Sequence, residues 1–244
     1  MSELQFSIVI PAKDEAESLA DVVDEITTVL AGRAFEIIVV DDGSTDGTAA
    51  VLRDLRKRYP NLRHLSHHQS CGKSAAVLSG VRAAKAAAVC TLDGDGQNDP
   101  RYLPELLALA SEPGVGLAAG QRVKHAHSFA KQIGSRLANG LRRALLKDDT
   151  RDTACGLKAF PRDVYLRLPY FDTMHRFLPA LVMREGLGVR HLDVVDRVRL
   201  RGQSKYGIVD RTLTGILDLV GVSWLMARRR TVPSVSEISS DSPL

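Results

Sequence analysis

The chain has 244 residues, of which 44% are hydrophobic and 25% charged, with a formal net charge of +4 and only three cysteines. That length and apolar share suit one large core, read here as one domain with two small domains as the alternative. Cys71, Cys90 and Cys155 have neither metal-type spacing nor an even count, which argues against a disulfide framework or zinc site and fits a reducing, cytoplasmic compartment.

The amino terminus, MSELQFSIVIPAKDE, places no basic stretch ahead of an apolar one, so no secretory signal is expected. Phe6 to Ile10 and Phe35 to Val40 are short β-branched runs. Between them Leu19, Val22, Val23, Ile26 and Leu30 recur at helical spacing, predicting a βαβ unit. A helix from Thr48 to Tyr59, a weak strand near Leu62 to Leu65, a helix near Ser74 to Lys85 and a strand from Ala88 to Leu92 continue the alternation. An α/β fold follows, with a mainly parallel sheet covered by helices on both faces. Past Pro100 a helix through Leu109 and a strand near Val115 to Ala119 are predicted, and then a polar, basic segment runs from Gln121 to Arg143. The second half is less regular. Its last apolar run, Ile216 to Ala227, is too short to span a bilayer, is interrupted by Asp218 and is followed by Arg228, Arg229 and Arg230. Two readings stay open: an interfacial helix and a packed helix with a basic end. The Ser- and Pro-rich tail from Thr231 to Leu244 has little to bury and is expected to be disordered.

Acidic residues gather where the predicted strands stop. The first strand runs into Pro11-Ala12-Lys13-Asp14-Glu15, the second into Asp41-Asp42-Gly43-Ser44-Thr45-Asp46-Gly47-Thr48, and the fourth into Asp93-Gly94-Asp95-Gly96-Gln97. In open α/β sheets ligands bind beyond the carboxyl ends of the strands. Oxygen donors such as Asp93 and Asp95 suit Mg²⁺ or Mn²⁺, hard cations that also hold phosphates. Ser44 and Asp46 are expected to satisfy free backbone donors, whereas Asp41 and Asp42 call for another explanation.

The segments SIVIPAKDEAESL, EIIVVDDGSTDGT, CGKSAAVLSG and TLDGDGQNDP, in this order, resemble glycosyltransferase family 2. GQRVKHAHSFAKQIGSRLAN, DTACGLKAF, MHRFLPAL and RLRGQSKYG look like its polyprenyl-phosphate branch, which includes the dolichol-phosphate mannosyltransferases. The resemblance implies a GT-A fold, taken over residues 1–208; residues 209–230 form the C-terminal amphipathic helix, for which the two readings above stay open, and 231–244 the tail. It also implies an inverting, metal-dependent hexosyl transfer. Pro11, Ala12, Glu15, Asp41, Lys73 and Asp93 would bind the donor, a nucleotide-diphosphate sugar. Asp95 and Gln97, with Asp93, would meet the metal. Arg122, Lys131, Ser135, Arg199 and Lys205 match the family's acceptor-phosphate positions, and lysine replaces the family's usual arginine at Lys131. Asp93, Asp95, Arg122 and Arg199 would carry catalysis without a general base, because a phosphate acceptor is already an anion. Asp152, Cys155 and Gly156 would contact the sugar or support a turn; His175 and Arg176 would face acceptor or sugar unless the histidine is structural.

GDP-mannose is the first donor expected, followed by a UDP-hexose or UDP-uronic acid, for which Lys158, Arg176 or Arg201 would supply a cation. A polyprenyl phosphate would be the acceptor, approached by peripheral attachment to the inner face of the membrane through Leu213 to Arg230. Two alternatives stay open: a family 2 enzyme acting on a sugar hydroxyl, and a non-catalytic nucleotide-sugar or phospholipid-binding module. No nucleic-acid partner is expected, because the positive charge comes with no recognisable binding module or aromatic stacking platform.

Overall fold

The computed structural model describes residues 4–123, 142, 145–146, 148–197 and 208–229, with only the backbone described over 208–214. Strands β1 (Phe6–Ala12), β2 (Phe35–Asp41), β3 (Leu62–Ser66) and β4 (Ala88–Thr91) alternate with helices α1 (Leu19–Val29), α2 (Thr48–Arg58) and α3 (Lys73–Ala83). Helix α4 (Leu103–Ala110), strand β5 (Val115–Arg122), strand β6 (Lys158–Pro161), short helices α5 (Arg162–Arg167) and α6 (Leu178–Arg184), strand β7 (Gly188–Val194) and helix α7 (Ile208–Ala227) complete the described chain.

The seven strands form one sheet in the order β3-β2-β1-β4-β6-β5-β7. Only β6 runs antiparallel, against both β4 and β5. The runs of β1, β2 and β4 are buried at nearly every position because both faces of the sheet are covered there. Ile8, Ile10, Ile37, Val39 and Leu92 bury one face with Leu19, Val22, Ile26 and Leu52, while Val9, Ile38, Val40 and Val89 bury the other with Val77, Val81, Tyr165 and Leu181.

Two consequences of this topology place the site. The strand order reverses between β1 and β4, so the chain leaving both strands opens a crevice at their carboxyl ends. Because β6 is antiparallel, the residues entering it, Asp152 to Leu157, lie at that same end: Lys158 pairs with Thr91 of β4 and with Ala119 of β5.

No helix among the described residues is long and apolar enough to cross a membrane. In α7, Ile216, Leu217, Val220 and Trp224 face outward, 55–73% exposed, with Arg228 and Arg229 exposed beyond them. Val222 is buried and Leu219 and Met226 pack against the core, so Leu219 lies on the inner side of this helix. Asp218 accepts a hydrogen bond from the Thr173 hydroxyl.

Candidate active site

The donor-side residues expected from the sequence come together at the carboxyl ends of β1, β2 and β4. Pro11 and Ala12 end β1 opposite Val40 and Asp41, and the Asp42 N–H donates to the Ala12 carbonyl at 2.8 Å. Asp41 is buried and accepts from the Ser44 N–H at 2.9 Å. The Glu15 N–H donates to Thr48 Oγ1 at 2.9 Å, pinning the turn after β1 to the start of α2. Ser44 and Asp46 do satisfy backbone donors, those of Asp14, Ala16 and Thr48.

Asp42 builds the neighbouring turn. Its carboxylate accepts from the Cys71 and Gly72 N–H groups, both at 2.9 Å, and from the Ser70 hydroxyl at 2.8 Å, and it lies 2.7 Å from His67 Nδ1. Burial pushes this carboxyl's pKa up, but the bonds from Cys71, His67, Ser70 and Gly72 outweigh it and hold the group below the usual range. The close approach needs Gly43, whose φ is +67° and whose added Cβ would stand 2.7 Å from the Ser70 nitrogen. Among the described residues, Asp42, His67 and Cys71 also form a group of three close His, Cys and Asp side chains of the kind that can hold a metal ion. Both ring nitrogens of His67 are already engaged there, by Asp42 and by Ser79 Oγ at 2.9 Å.

Fixing the 70–72 turn starts α3 at Lys73, whose Nζ lies 2.5 Å from Asp93 Oδ1. The Asp93 N–H donates to Asn98 Oδ1 at 3.0 Å, and Asp95 Oδ1 accepts from the Gln97 N–H at 3.1 Å. A Cβ on Gly156 would fall 2.6 Å from the Asp93 carboxylate, so only glycine leaves this carboxylate its place. Asp93, Asp95 and Gln97 thus offer oxygen donors from one turn, a set whose chemistry fits Mg²⁺ or Mn²⁺.

On the other side of the crevice, Arg122 ends β5. Its Nε and Nη2 donate to the two oxygens of Asp152 at 2.5 and 3.0 Å, and its Nη1 reaches Asp196 Oδ2 at 3.4 Å. Hydrogen bonding to Asp152 holds the guanidinium more firmly charged. Burial acts to raise the Asp152 pKa, but the Arg122 hydrogen bond and charge carry it below the usual range. At Asp196 burial wins and the pKa is raised. Lys131, Ser135, Arg199 and Lys205, the other expected acceptor residues, lie outside the described residues, as does Arg201.

The floor of the crevice holds residues whose roles the sequence left open. Cys155 is buried, and burial pushes its thiol up to about 11. Lys158 is buried, donates to the carbonyls of Cys155 and Thr153, and is lowered to about 8 by that burial. Ser74 Oγ accepts from the His175 N–H at 3.3 Å and lies 2.8 Å from His175 Nδ1. Burial, reinforced by Lys73, Lys158 and Arg176, lowers His175 to about 2 and keeps it neutral.

Sequence reasoning did not single out Asn98 or Asp196. Asn98 stands within the TLDGDGQNDP segment, where its identity carried a signal. Asp196, in HLDVVDRVRL, has nothing local to separate it from Asp193. Their contact, Asn98 Nδ2 to Asp196 Oδ1 at 3.3 Å, joins residues far apart in the chain.

The Glycosyl transferase family 2 profile matches residues 7–168. A dodecaprenyl-phosphate galacturonate synthase of Rhizobium johnstonii is 31% identical over 232 residues, covering 93% of this chain and 68% of the relative. An undecaprenyl-phosphate 4-deoxy-4-formamido-L-arabinose transferase of Edwardsiella ictaluri is 30% identical, covering 89% and 67%. The chain thus spans about two thirds of the length of these relatives. Among solved structures, glucosyl-3-phosphoglycerate synthase of Mycobacterium tuberculosis, in complex with Mn²⁺, UDP and its product, aligns with a TM-score of 0.66 at 21% identity, covering 93% of this chain and 80% of that one. That likeness shows a shared fold.

Proposed function

The chain belongs to glycosyl transferase family 2, and from that premise we propose that it transfers a sugar, with inversion, from a nucleoside-diphosphate sugar to a polyprenyl phosphate. The observation that carries this reading is the meeting of a donor-side set of oxygen ligands with an arginine held in place by two carboxylates, Asp152 and Asp196. The oxygen-donor turn Asp93–Gln97 and the cationic Arg122 sit on one crevice, joined through Asn98 and Asp196. The relatives named above support the acceptor class, and their sugars favour a uronic acid or a modified pentose over GDP-mannose. We take a UDP-linked uronic acid as the donor; the UDP-bound fold relative supports the uridine only by analogy.

In this account Asp41, Glu15 and the β1 end at Pro11 and Ala12 grip the nucleoside, and Asp95 and Gln97, with Asp93 beside them, would hold Mg²⁺ or Mn²⁺. When bound, the cation supplies positive charge to the diphosphate as it departs. Lys73, held on Asp93, adds a second positive charge on the donor side. His175 presents a neutral ring to the floor of the crevice.

Arg122 draws in the acceptor phosphate and aims one of its oxygens at the anomeric carbon, on the face opposite the leaving diphosphate. A phosphomonoester with a second pKa of about 6 is already largely ionised at neutral pH, so no residue needs to remove a proton. The work of the protein is to align two anions that repel each other. The outward apolar face of α7, with Arg228 and Arg229 next to it, suits docking on an anionic bilayer where the lipid acceptor resides.

A donor screen tests this reading. Labelled UDP-galacturonate, UDP-glucose and GDP-mannose are each incubated with polyprenyl phosphate and Mn²⁺, and product is extracted into organic solvent. Label should enter the lipid phase from UDP-galacturonate. Donor hydrolysis without lipid-linked product from any donor would overturn the acceptor assignment.

A further inference from the structure

Arg122 is held from two directions, and the two holders differ. Asp152 makes the short, two-pronged contact and comes from the loop entering β6. Asp196 makes a longer single contact of 3.4 Å and is attached to the donor turn. Asn98, itself 4% exposed, has its orientation set because Oδ1 accepts the Asp93 N–H at 3.0 Å, which turns Nδ2 toward Asp196.

The attachment does not rest on that bond alone. The Arg197 N–H donates to the Gln97 carbonyl at 2.9 Å, and the Arg197 guanidinium reaches Asp99 at 3.1 Å and Glu25 at 2.6 Å. The segment leaving β7 is therefore stitched to residues 97–99 by backbone, amide and ion-pair contacts. Gly156 closes the third side, since a Cβ there would lie 2.5 Å from Asn98 Oδ1. Gly156 leaves Asn98 Oδ1 and the Asp93 carboxylate no room on its side, so a shift of these two groups passes to Asp196 and on to Arg122.

Resting on the function proposed above, we propose that Asp196, carried by Asn98, is a positioning residue that couples occupancy of the donor pocket to the orientation of Arg122. Loading the donor side sets the guanidinium for the acceptor phosphate. By reciprocity, an acceptor phosphate on Arg122 tightens the donor side by the same factor.

The test measures the affinity of farnesyl phosphate for the full chain, with and without saturating UDP and Mn²⁺, beside steady-state transfer to polyprenyl phosphate. In the wild type, UDP and Mn²⁺ should tighten farnesyl phosphate about fivefold or more, within the usual range for coupled sites. In Asp196→Asn, which keeps the side-chain volume and an oxygen for Asn98, that gain should fall below about twofold, while UDP affinity stays within about twofold of wild type. Retained UDP affinity also reports a folded donor pocket. Acceptor KM should rise about tenfold with kcat changed far less, the pattern of lost binding rather than lost chemistry. Asp196→Ala should match Asp196→Asn in coupling.

Full coupling in both variants, or none in the wild type, would overturn the proposal. A wild type that couples UDP to farnesyl phosphate through Asp196 yet transfers nothing to lipid would overturn the function and leave the relay standing. Lipid transfer with wild-type coupling in both variants would do the reverse.

Discussion

Gly156→Ala isolates the packing at the centre of the site. The new Cβ would lie 2.5 Å from Asn98 Oδ1 and 2.6 Å from the Asp93 carboxylate, against an ordinary contact distance of 3.4–4 Å. Neither neighbour is free to retreat, since Asn98 Oδ1 holds the Asp93 N–H and Asp93 Oδ1 holds Lys73. Gly156 is not among the glycines with positive φ, so the effect is crowding rather than backbone strain. Overpacking of this kind costs about 1–3 kcal/mol. In a chain of this size each kcal/mol lowers Tm by about 2–4 °C. Displacing a positioning group by about 1 Å costs up to about 100-fold in rate, so activity should fall much further than stability. The assay pairs a thermal melt with kcat/KM for sugar transfer. Gly221→Ala is the control: nothing lies within 4 Å of its added Cβ in α7, and removing a helical glycine should raise stability by about 0.5–1 kcal/mol. A Gly156→Ala protein with kcat/KM within about twofold of wild type and an unchanged melt would refute the crowding argument.

Other substitutions probe other parts of the site. Lys158 is lowered to about 8 by burial, so between about pH 8 and 10.5 the unfolded chain holds a proton that the folded chain has released. Stability conferred by this group therefore rises with pH through that window, by roughly 3 kcal/mol in total. Urea melts of wild type and Lys158→Met across pH 7.5–10.5 should show the difference moving in favour of the wild type; a constant difference would refute the shift. Lys73→Met removes the cation from Asp93 and should raise the donor KM about tenfold with little effect on acceptor KM. Chelation with EDTA should abolish transfer and Mn²⁺ or Mg²⁺ restore it, while Asp95→Ala should stay inactive at the restoring concentration. Liposome flotation should weaken when Leu217 and Trp224 become serine, whereas Leu219→Ser, on the inner side of α7, should lower the melting temperature.

The first half of the fold was legible because parallel strands buried on both faces appear as unbroken β-branched runs. FSIVIPA and FEIIVVD are of that kind, and amphipathic helices separate them. The later elements lack such a signal. Strand β6 is only KAFP, four residues ending in proline, and β7 is an edge strand whose GVRHLDV leaves most side chains partly exposed. The acidic ends of β1, β2 and β4 were readable because a residue just past a buried parallel strand has few other places to be. Asp41 and Asp42, adjacent and alike in the sequence, differ in the fold: Asp42 is consumed by the 70–72 turn. Arg122 was reached through family resemblance, and its partners Asp152 and Asp196 lie 30 and 74 residues away, beyond any local pattern. The inner placement of Leu219 likewise depends on which side of α7 meets the core, which an apolar run alone does not specify.

The most direct test of the central claim compares two acceptors that differ only in their head group. With Mn²⁺ and labelled donor preloaded, a single-turnover chase uses either polyprenyl phosphate or the corresponding polyprenol. A site built around Arg122 for an acceptor that is already ionised should transfer sugar to the phosphate and leave the alcohol untouched. Comparable transfer to the alcohol would contradict the account, because it would require a general base that the proposed mechanism does not include.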